Sequence, residues 1–177
     1  TNTIATSSDG TTWTGYATTI ISPNGLCVEW NGINWVVGSD DSTNTIIYST
    51  SAFGNSWTGI GNSIFSTDVR DLYWNGLYFI GVGSGTSNTI AYSYDGIYWT
   101  GLGSSIFSTS CNGIAFNDNR RHSIIFPRNL SIAVGAGTSN TIAYSLNNGL
   151  SWTGLGTTIF SAQGNGIYWN GKTWIAI

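Results

Sequence analysis

The feature that most constrains the fold is an internal repeat that occurs four times. Asn-Thr-Ile begins at Asn2, Asn44, Asn88 and Asn140, and Trp-Thr-Gly begins at Trp13, Trp57, Trp99 and Trp152. The repeats are about 1–43, 44–87, 88–139 and 140–177. Self-similarity at a period of about 40 residues is typical of propellers and other repeat architectures. A chain of 177 residues is expected to form one domain, 1–177.

Each repeat contains four short strand signals, which the third copy illustrates. β-forming residues occupy 89–93, 98–100, 113–116 and 131–134, and Asp95-Gly96 is a hairpin-turn signal between the first two. No segment has the apolar period of a helix. These signals predict an all-β chain, a β-propeller of four-stranded antiparallel blades. Radial stacking would bury the faces of each blade, with tryptophan and phenylalanine filling the gaps between blades.

The phase of the repeat leaves the number of blades open. Three blades are continuous, at about 25–59, 71–101 and 113–154, and the segments 166–177 and 1–15 are complementary halves of one more. Pairing of these halves would close a ring of four blades and remove exposed sheet edges. The alternative is that the chain forms part of a larger ring.

Composition excludes several classes of protein. Five Lys+Arg against eight Asp+Glu give a net charge of −3, whereas a nucleic-acid-binding protein would carry a basic surface. An aromatic content of 14% excludes a disordered chain. No apolar run reaches the ~18 residues of a membrane span. A single histidine and no paired cysteine spacing predict no metal site, and no cofactor is expected. Cys27 and Cys111 are expected to be free, buried thiols.

A short motif recurs before three of the Trp-Thr-Gly phrases. It consists of Ser7, Asp9 and Trp13, of Ser93, Asp95 and Trp99, and of Ser145, Asn147 and Trp152. The motif resembles the Asp-box of sialidase-type (BNR) repeats. The resemblance implies a hairpin turn between the third and fourth strands of a blade, in which the Asp side chain bonds to turn amides and the Trp packs beneath. The whole repeat is also similar to repeat proteins encoded by large DNA viruses of algae and protists.

The Asp-box resemblance implies a fold but not an activity. Glycoside hydrolysis needs paired carboxylates, or a Tyr nucleophile with a supporting Glu, and sialidases add three arginines that clamp the substrate carboxylate. The chain has one glutamate, Glu29, and three of its four arginines lie in one insertion. Asp9 and Asp95 are the residues that form turns, because Asx side chains bond to backbone N–H groups. We therefore expect no enzymatic activity.

Two segments are the candidate binding sites. The insertion 117–130 interrupts the repeat and carries Arg120, Arg121, His122 and Arg128. Loops that break a repeat often carry function, so this insertion is expected to contact a partner protein or an anionic group, or else to be a drifted loop packed on its own blade. The second segment, the loop 59–70 between blades, contains Thr67, Asp68 and Arg70. The rim formed by such loops, opposite the Asp-box turns, is the expected binding face.

Three functions remain after these exclusions. The first is a non-catalytic β-propeller that acts as a structural or protein-interaction module of a virion or another extracellular assembly, which suits a chain with only 7% charged residues. The second is a glycan-binding, lectin-like propeller, because some of the nine tryptophans and nine tyrosines could form exposed platforms for sugars. The third, which the residue content disfavours, is a sialidase-like glycosidase.

Overall fold

The computed structural model describes residues 2–17, 20–117 and 129–177. Within these ranges the chain contains sixteen strands and no helix, which confirms the all-β prediction. The first eight strands are β1 (Asn2–Thr6), β2 (Thr14–Ala17), β3 (Gly25–Trp30), β4 (Trp35–Ser39), β5 (Ile46–Ser49), β6 (Thr58–Gly61), β7 (Asp68–Trp74) and β8 (Phe79–Ser84). The second eight are β9 (Ile90–Ser93), β10 (Thr100–Gly101), β11 (Ser110–Phe116), β12 (Ser131–Ala136), β13 (Ile142–Ser145), β14 (Thr153–Gly154), β15 (Ile167–Trp169) and β16 (Trp174–Ala176).

The strands form three four-stranded antiparallel sheets and two hairpins. We call β3–β6 sheet I, β7–β10 sheet II and β11–β14 sheet III; β1–β2 is the leading hairpin and β15–β16 the trailing hairpin. In every sheet the strands lie side by side in chain order. The four-stranded unit predicted from the repeat is therefore confirmed. Among the described strands, β16 does not pair with β1, so the closed four-blade ring is not found.

Apolar clusters lie between consecutive sheets. Ile80 and Val82 of sheet II pack with Ile114 and Phe116 of sheet III in one cluster. A second cluster joins Val36 of sheet I to residues of sheet II. Because a single sheet cannot bury both of its faces, each sheet depends on its neighbours for its core.

The large buried aromatic side chains are phenylalanines rather than tryptophans. Phe65 and Phe107, from the loops that connect one sheet to the next, are fully buried, as is Phe79. Of the nine tryptophans, only Trp169 is buried, and Trp13 is 62% exposed. The expectation that tryptophans fill the gaps between sheets is therefore met only in part: Trp57, Trp74, Trp99 and Trp152 pack against the apolar clusters but are only half-buried. One reason is that an indole N–H must keep a hydrogen-bond partner, which these residues find in turns.

The repeated Asn-Thr pair is a hydrogen-bonding device, which we call the clamp. In sheet II, Asn88 Oδ1 accepts the N–H of Gly103 at 3.0 Å, and Asn88 Nδ2 donates to the carbonyl of Ile64 at 3.0 Å. The Thr89 hydroxyl donates to the carbonyl of Phe107 at 3.0 Å. The clamp thus ties the third strand of a sheet to its fourth strand, to the preceding loop and to the following loop.

The same clamp occurs in all three sheets. Its other members are Asn44 with Gly61 and Ile20, Thr45 with Phe65, Asn140 with Gly156 and Ile106, and Thr141 with Phe160. Two adjacent carbonyls in the loop between sheets I and II are therefore bound by different sheets. Asn88 of sheet II donates to the carbonyl of Ile64, and Thr45 of sheet I donates to that of Phe65. The recurrence of Asn-Thr-Ile and Ile-Phe-Ser in the sequence follows from this contact between sheets.

The clamp also explains the glycine of Trp-Thr-Gly. The Asn side chain lies directly over this glycine, and a Cβ added to Gly101 would overlap the side chain of Asn88. The same overlap would occur between Gly59 and Asn44 and between Gly154 and Asn140.

We predict that Gly101→Ala lowers the free energy of unfolding by about 1–3 kcal/mol, the usual cost of overpacking. Asn88→Ala is expected to cost about 1–3 kcal/mol, because it leaves buried backbone groups without partners. The two costs should not add, since the alanine at 88 removes the overlap. Urea denaturation of both single variants and the double variant tests this, with Gly166→Ala as the control, where a Cβ would meet only the Ile177 side chain at 3.4 Å. Additive costs would contradict the clamp.

Candidate functional site

The turns at one end of the sheets form a common surface, which we call the turn face. In an antiparallel sheet whose strands follow chain order, the first and third connections lie at the same end. These are 31–34 and 50–57 in sheet I, 75–78 and 94–99 in sheet II, and 146–152 in sheet III. The turn 7–13 of the leading hairpin belongs to the same face, because it lines one cavity together with 52–57. Neighbouring sheets are joined here: Asn34 Nδ2 donates to the carbonyl of Asp95 at 2.9 Å, and Asn75 Nδ2 donates to that of Asn148 at 3.0 Å.

Side-chain oxygens fix the turn between the third and fourth strands. In sheet II, Ser93 Oγ accepts the N–H of Gly96 at 2.8 Å, and Asp95 Oδ1 accepts those of Ile97 and Tyr98 at 2.8 and 3.0 Å. The indole of Trp99 donates to the carbonyl of Gly96. The turn is longer than the two-residue hairpin that Asp-Gly predicts, because the Asp side chain closes it in place of backbone hydrogen bonds.

All nine residues of the recurring Ser/Asp/Trp motif lie in such turns or immediately before them. Ser7, Asp9 and Trp13 make the same contacts in the leading hairpin, and Ser145, Asn147 and Trp152 make corresponding ones in sheet III. Sheet I has no carboxylate in this turn, but its Trp57 still donates to the carbonyl of Gly54.

The turn between the first and second strands is fixed in a related way. Asn75 Oδ1 accepts the N–H groups of Leu77 and Tyr78 at 2.9 and 2.8 Å. Asn31 and Asn170 make the same pair of contacts in sheet I and in the trailing hairpin. Both kinds of turn therefore have a defined conformation that does not depend on a ligand.

Exposed apolar side chains are concentrated on this surface. Half of the large hydrophobic residues that are exposed in the described part of the chain lie in these turns. They are Trp13, Ile33, Phe53, Leu77, Tyr94, Tyr98 and Leu146. Of the others in the described residues, Leu155 and Ile159 lie in loops at the opposite end, the loop face, and the remaining five lie on β3 and on the trailing hairpin or directly after it. Clustered exposure of this kind marks an interaction surface.

The sequence-based candidates on the loop face are largely engaged with one another. Thr67 is exposed, whereas Asp68 is buried and its Oδ1 accepts the amide and hydroxyl of Ser84. Arg70 forms an ion pair with Asp68 at 3.0 Å and reaches Asn112 of sheet III. Arg70, held by Asp68, thus joins sheet II to sheet III at the loop face. The candidates Arg120, Arg121, His122 and Arg128 lie outside the described residues.

Every acidic side chain in the described ranges accepts at least one backbone N–H. The seven are Asp9, Glu29, Asp40, Asp41, Asp68, Asp71 and Asp95. Asp41, for example, accepts from Ser22, Thr43 and Asn44. Within these same ranges, no three metal-ligating side chains come together. The described carboxylates therefore act as hydrogen-bond acceptors for backbone N–H groups.

The protonation of these carboxylates follows from their surroundings. The amides of Thr12 and Thr11 hold the pKa of Asp9 far below its ordinary value. Burial acts to raise the pKa of Asp95, but the amides of Tyr98 and Ile97 with the Ser93 hydroxyl outweigh it, so the pKa is lowered. Asp71 is the opposite case, because burial between sheets II and III outweighs its two amide contacts and raises its pKa.

The two cysteines are free, as the sequence predicts. Burial, with a smaller effect of the nearby Asp71 carboxylate, raises the pKa of Cys27 to about 12 and that of Cys111 further still. Both thiols are therefore protonated and poor nucleophiles. Cys111 is fully buried, whereas Cys27 retains some exposed surface.

Comparisons with known proteins bear on the fold alone. No protein-family model and no curated protein matches the chain. Among solved structures, the chain is similar to the crystal structure of the computationally designed Ika8 protein, with a TM-score of 0.56 and 12% identity. The match covers 86% of this chain and 42% of the designed one, so the chain spans less than half the length of that protein. No helix in the described residues is long and apolar enough to cross a membrane.

We predict that Asp71→Asn makes the stability of the protein less dependent on pH. A carboxyl group whose pKa is raised on folding stabilises the fold below its unfolded pKa of about 3.8, and this contribution is lost as the pH rises through the folded value. The free energy of unfolding of the variant relative to wild type should therefore increase from pH 4 to pH 7. Urea denaturation across this range measures it. Asp95→Asn is the control, because the pKa of Asp95 is lowered on folding and its titration therefore changes stability only below pH 4. A difference in unfolding free energy between Asp71→Asn and wild type that stays constant from pH 4 to pH 7 would contradict the raised pKa of Asp71.

Proposed function

We propose that this protein is a non-catalytic β-propeller module that binds other proteins through the turn face. The observation that carries the proposal is the set of seven large apolar side chains exposed on turns that are internally hydrogen-bonded. Exposed apolar and aromatic side chains are the usual anchors of protein interfaces. Because the turns are already ordered, binding would cost little conformational entropy.

The composition of the turn face supports protein binding. Its turns consist mainly of Tyr, Ser, Gly and Asn with a few aliphatic residues. Antibody binding loops use the same residues, because tyrosine supplies a large rigid contact area and the small polar residues supply hydrogen bonds. Low charge on this surface favours a partner that is itself uncharged and apolar.

The use of the carboxylates supports the absence of catalysis. All seven described acidic side chains accept backbone N–H groups. A glycosidase needs two carboxylates facing a substrate at a defined separation. The described carboxylates are instead hydrogen-bonded in turns and in contacts between sheets, where they stabilise the fold.

The propeller assignment rests on how the sheets follow one another. Three four-stranded sheets pack face to face in chain order, and each carries the same clamp to the following loop. Radial repetition of such sheets is the propeller arrangement. The turn hydrogen bonds agree with what the Asp-box resemblance implies, and a chain with 7% charged residues suits a virion or another extracellular assembly.

Glycan binding is the second candidate function. Tyr94 and Tyr98 are 65% and 80% exposed on a single turn of sheet II. Exposed aromatic rings are suited to stack on the apolar faces of sugars.

We predict that Ile33→Lys with Leu77→Lys abolishes protein binding by the turn face. Lys172 occupies the equivalent position in the trailing hairpin and keeps the same Asn contact, so the substitutions are compatible with the turn. Immobilised wild-type protein is expected to retain partner proteins from extracts of the source cells in high salt. The double variant should lose those proteins, whereas Leu155→Lys on the loop face should keep them. Equal retention by all three proteins, or loss only with Leu155→Lys, would contradict the proposal.

A further inference from the structure

The turn between β9 and β10 differs chemically from its counterparts. Two exposed tyrosines, Tyr94 and Tyr98, flank Asp95. At the equivalent positions, the leading hairpin has Ser8 and Thr12. Sheet III has Leu146 beside an asparagine rather than an aspartate. Among these three turns, the one in sheet II alone has tyrosines beside its carboxylate.

Neighbouring rings hold Tyr94 in place. Its ring meets that of Tyr78 at 4.8 Å between centroids and that of Tyr92 at 6.0 Å, each at an angle of 73°. Edge-to-face contacts of this kind are favourable and fix the orientation of a ring. A hydrogen bond with the Tyr78 hydroxyl also raises the pKa of Tyr94, so its phenol remains protonated. The ring is therefore oriented while most of Tyr94 remains exposed.

The Asp95 carboxylate uses one oxygen for the turn. Oδ1 accepts the amides of Ile97 and Tyr98 and the Ser93 hydroxyl. None of these hydrogen bonds involves Oδ2, and the side chain is only partly buried. The turn therefore offers an ionised acceptor between two aromatic side chains.

We propose that Tyr94, Asp95 and Tyr98 form a binding site for a neutral pyranose sugar. A pyranose has an apolar C–H face that can stack on a tyrosine ring, and hydroxyl groups that can donate to a carboxylate. Hydrogen bonds to an ionised acceptor are stronger than those between neutral groups. The negative charge of Asp95 disfavours an acidic sugar, so the ligand class is neutral hexoses and their oligomers.

This site gives chemical detail to the second candidate function and does not depend on the protein-binding role. Its key residues differ from the Ile33 and Leu77 positions that test that role. Failure of one proposal therefore leaves the other unaffected.

The repeat itself supplies matched variants for the test. Tyr94→Ser with Tyr98→Thr installs the side chains of the leading hairpin, whose turn makes the same Ser and Asp hydrogen bonds. Asp95→Asn copies Asn147, which accepts a turn amide through Oδ1 at 2.9 Å. Leu146→Ser changes the sheet III turn and serves as the control. Near-UV circular dichroism verifies that each variant is folded.

The experiment is NMR titration of the protein with the methyl glycosides of glucose, galactose and mannose, and with sialic acid. At least one neutral glycoside is expected to shift the amides of 94–98 with a millimolar dissociation constant. Binding should weaken at least about tenfold in the double tyrosine variant and several-fold in Asp95→Asn, as for loss of interface anchors, and should be unchanged in Leu146→Ser. No shift with any neutral glycoside, equal binding by the double variant, or equal binding of sialic acid would overturn the proposal.

Discussion

The clamp formed by each Asn-Thr pair is the contact on which the rest of the structure depends. Its two side chains bind three backbone groups that no backbone hydrogen bond satisfies: a glycine N–H and one carbonyl in each of the loops before and after the sheet. Buried backbone groups without partners are costly, so the sheets can approach closely only where such groups are satisfied. The buried Phe65 and Phe107 side chains lie between sheets because their carbonyls are held there.

This spacing between sheets determines the properties of the turn face. Asn34 and Asn75 each reach a turn of the following sheet, so neighbouring turns are held at fixed separations. Each turn is closed by its own Ser, Asp or Asn oxygens. Exposed apolar residues can therefore occupy the tips, because the conformation of the turn does not depend on the side chains there. The sheet II turn with Tyr94 and Tyr98 and the leading-hairpin turn with Ser8 and Thr12 illustrate this freedom.

The repeat predicts the strands well because period and β-propensity are local properties. For the third unit the sequence predicts strands at 89–93 and 131–134, and β9 and β12 lie there. The burial of the tryptophans was not predictable in the same way. Repetition shows that Trp99 has one recurring environment, but an indole beneath a turn and an indole in a core give the same sequence pattern. Closure of a ring also escapes the sequence, because it depends on the small rotation between successive sheets.

The candidate site was predictable only in part, for a related reason. Asp95 could be assigned to a turn because Asx side chains bind nearby amides. The choice of the turn face over the loop face required coordinates, because exposure depends on packing between sheets. Arg70 illustrates the difficulty: it breaks the polar pattern of its loop, yet it pairs with Asp68. Even in a chain with few charged residues, a charged side chain can stabilise the fold rather than bind a ligand.

The most direct test of this account is amide hydrogen exchange of the intact protein. The clamp requires that the N–H groups of Gly61, Gly103 and Gly156, each bound by an asparagine side chain, exchange as slowly as amides of the central strands. Exchange of these three amides at the rate of exposed loop amides would contradict it, since the asparagine side chains would then not hold the glycine N–H groups.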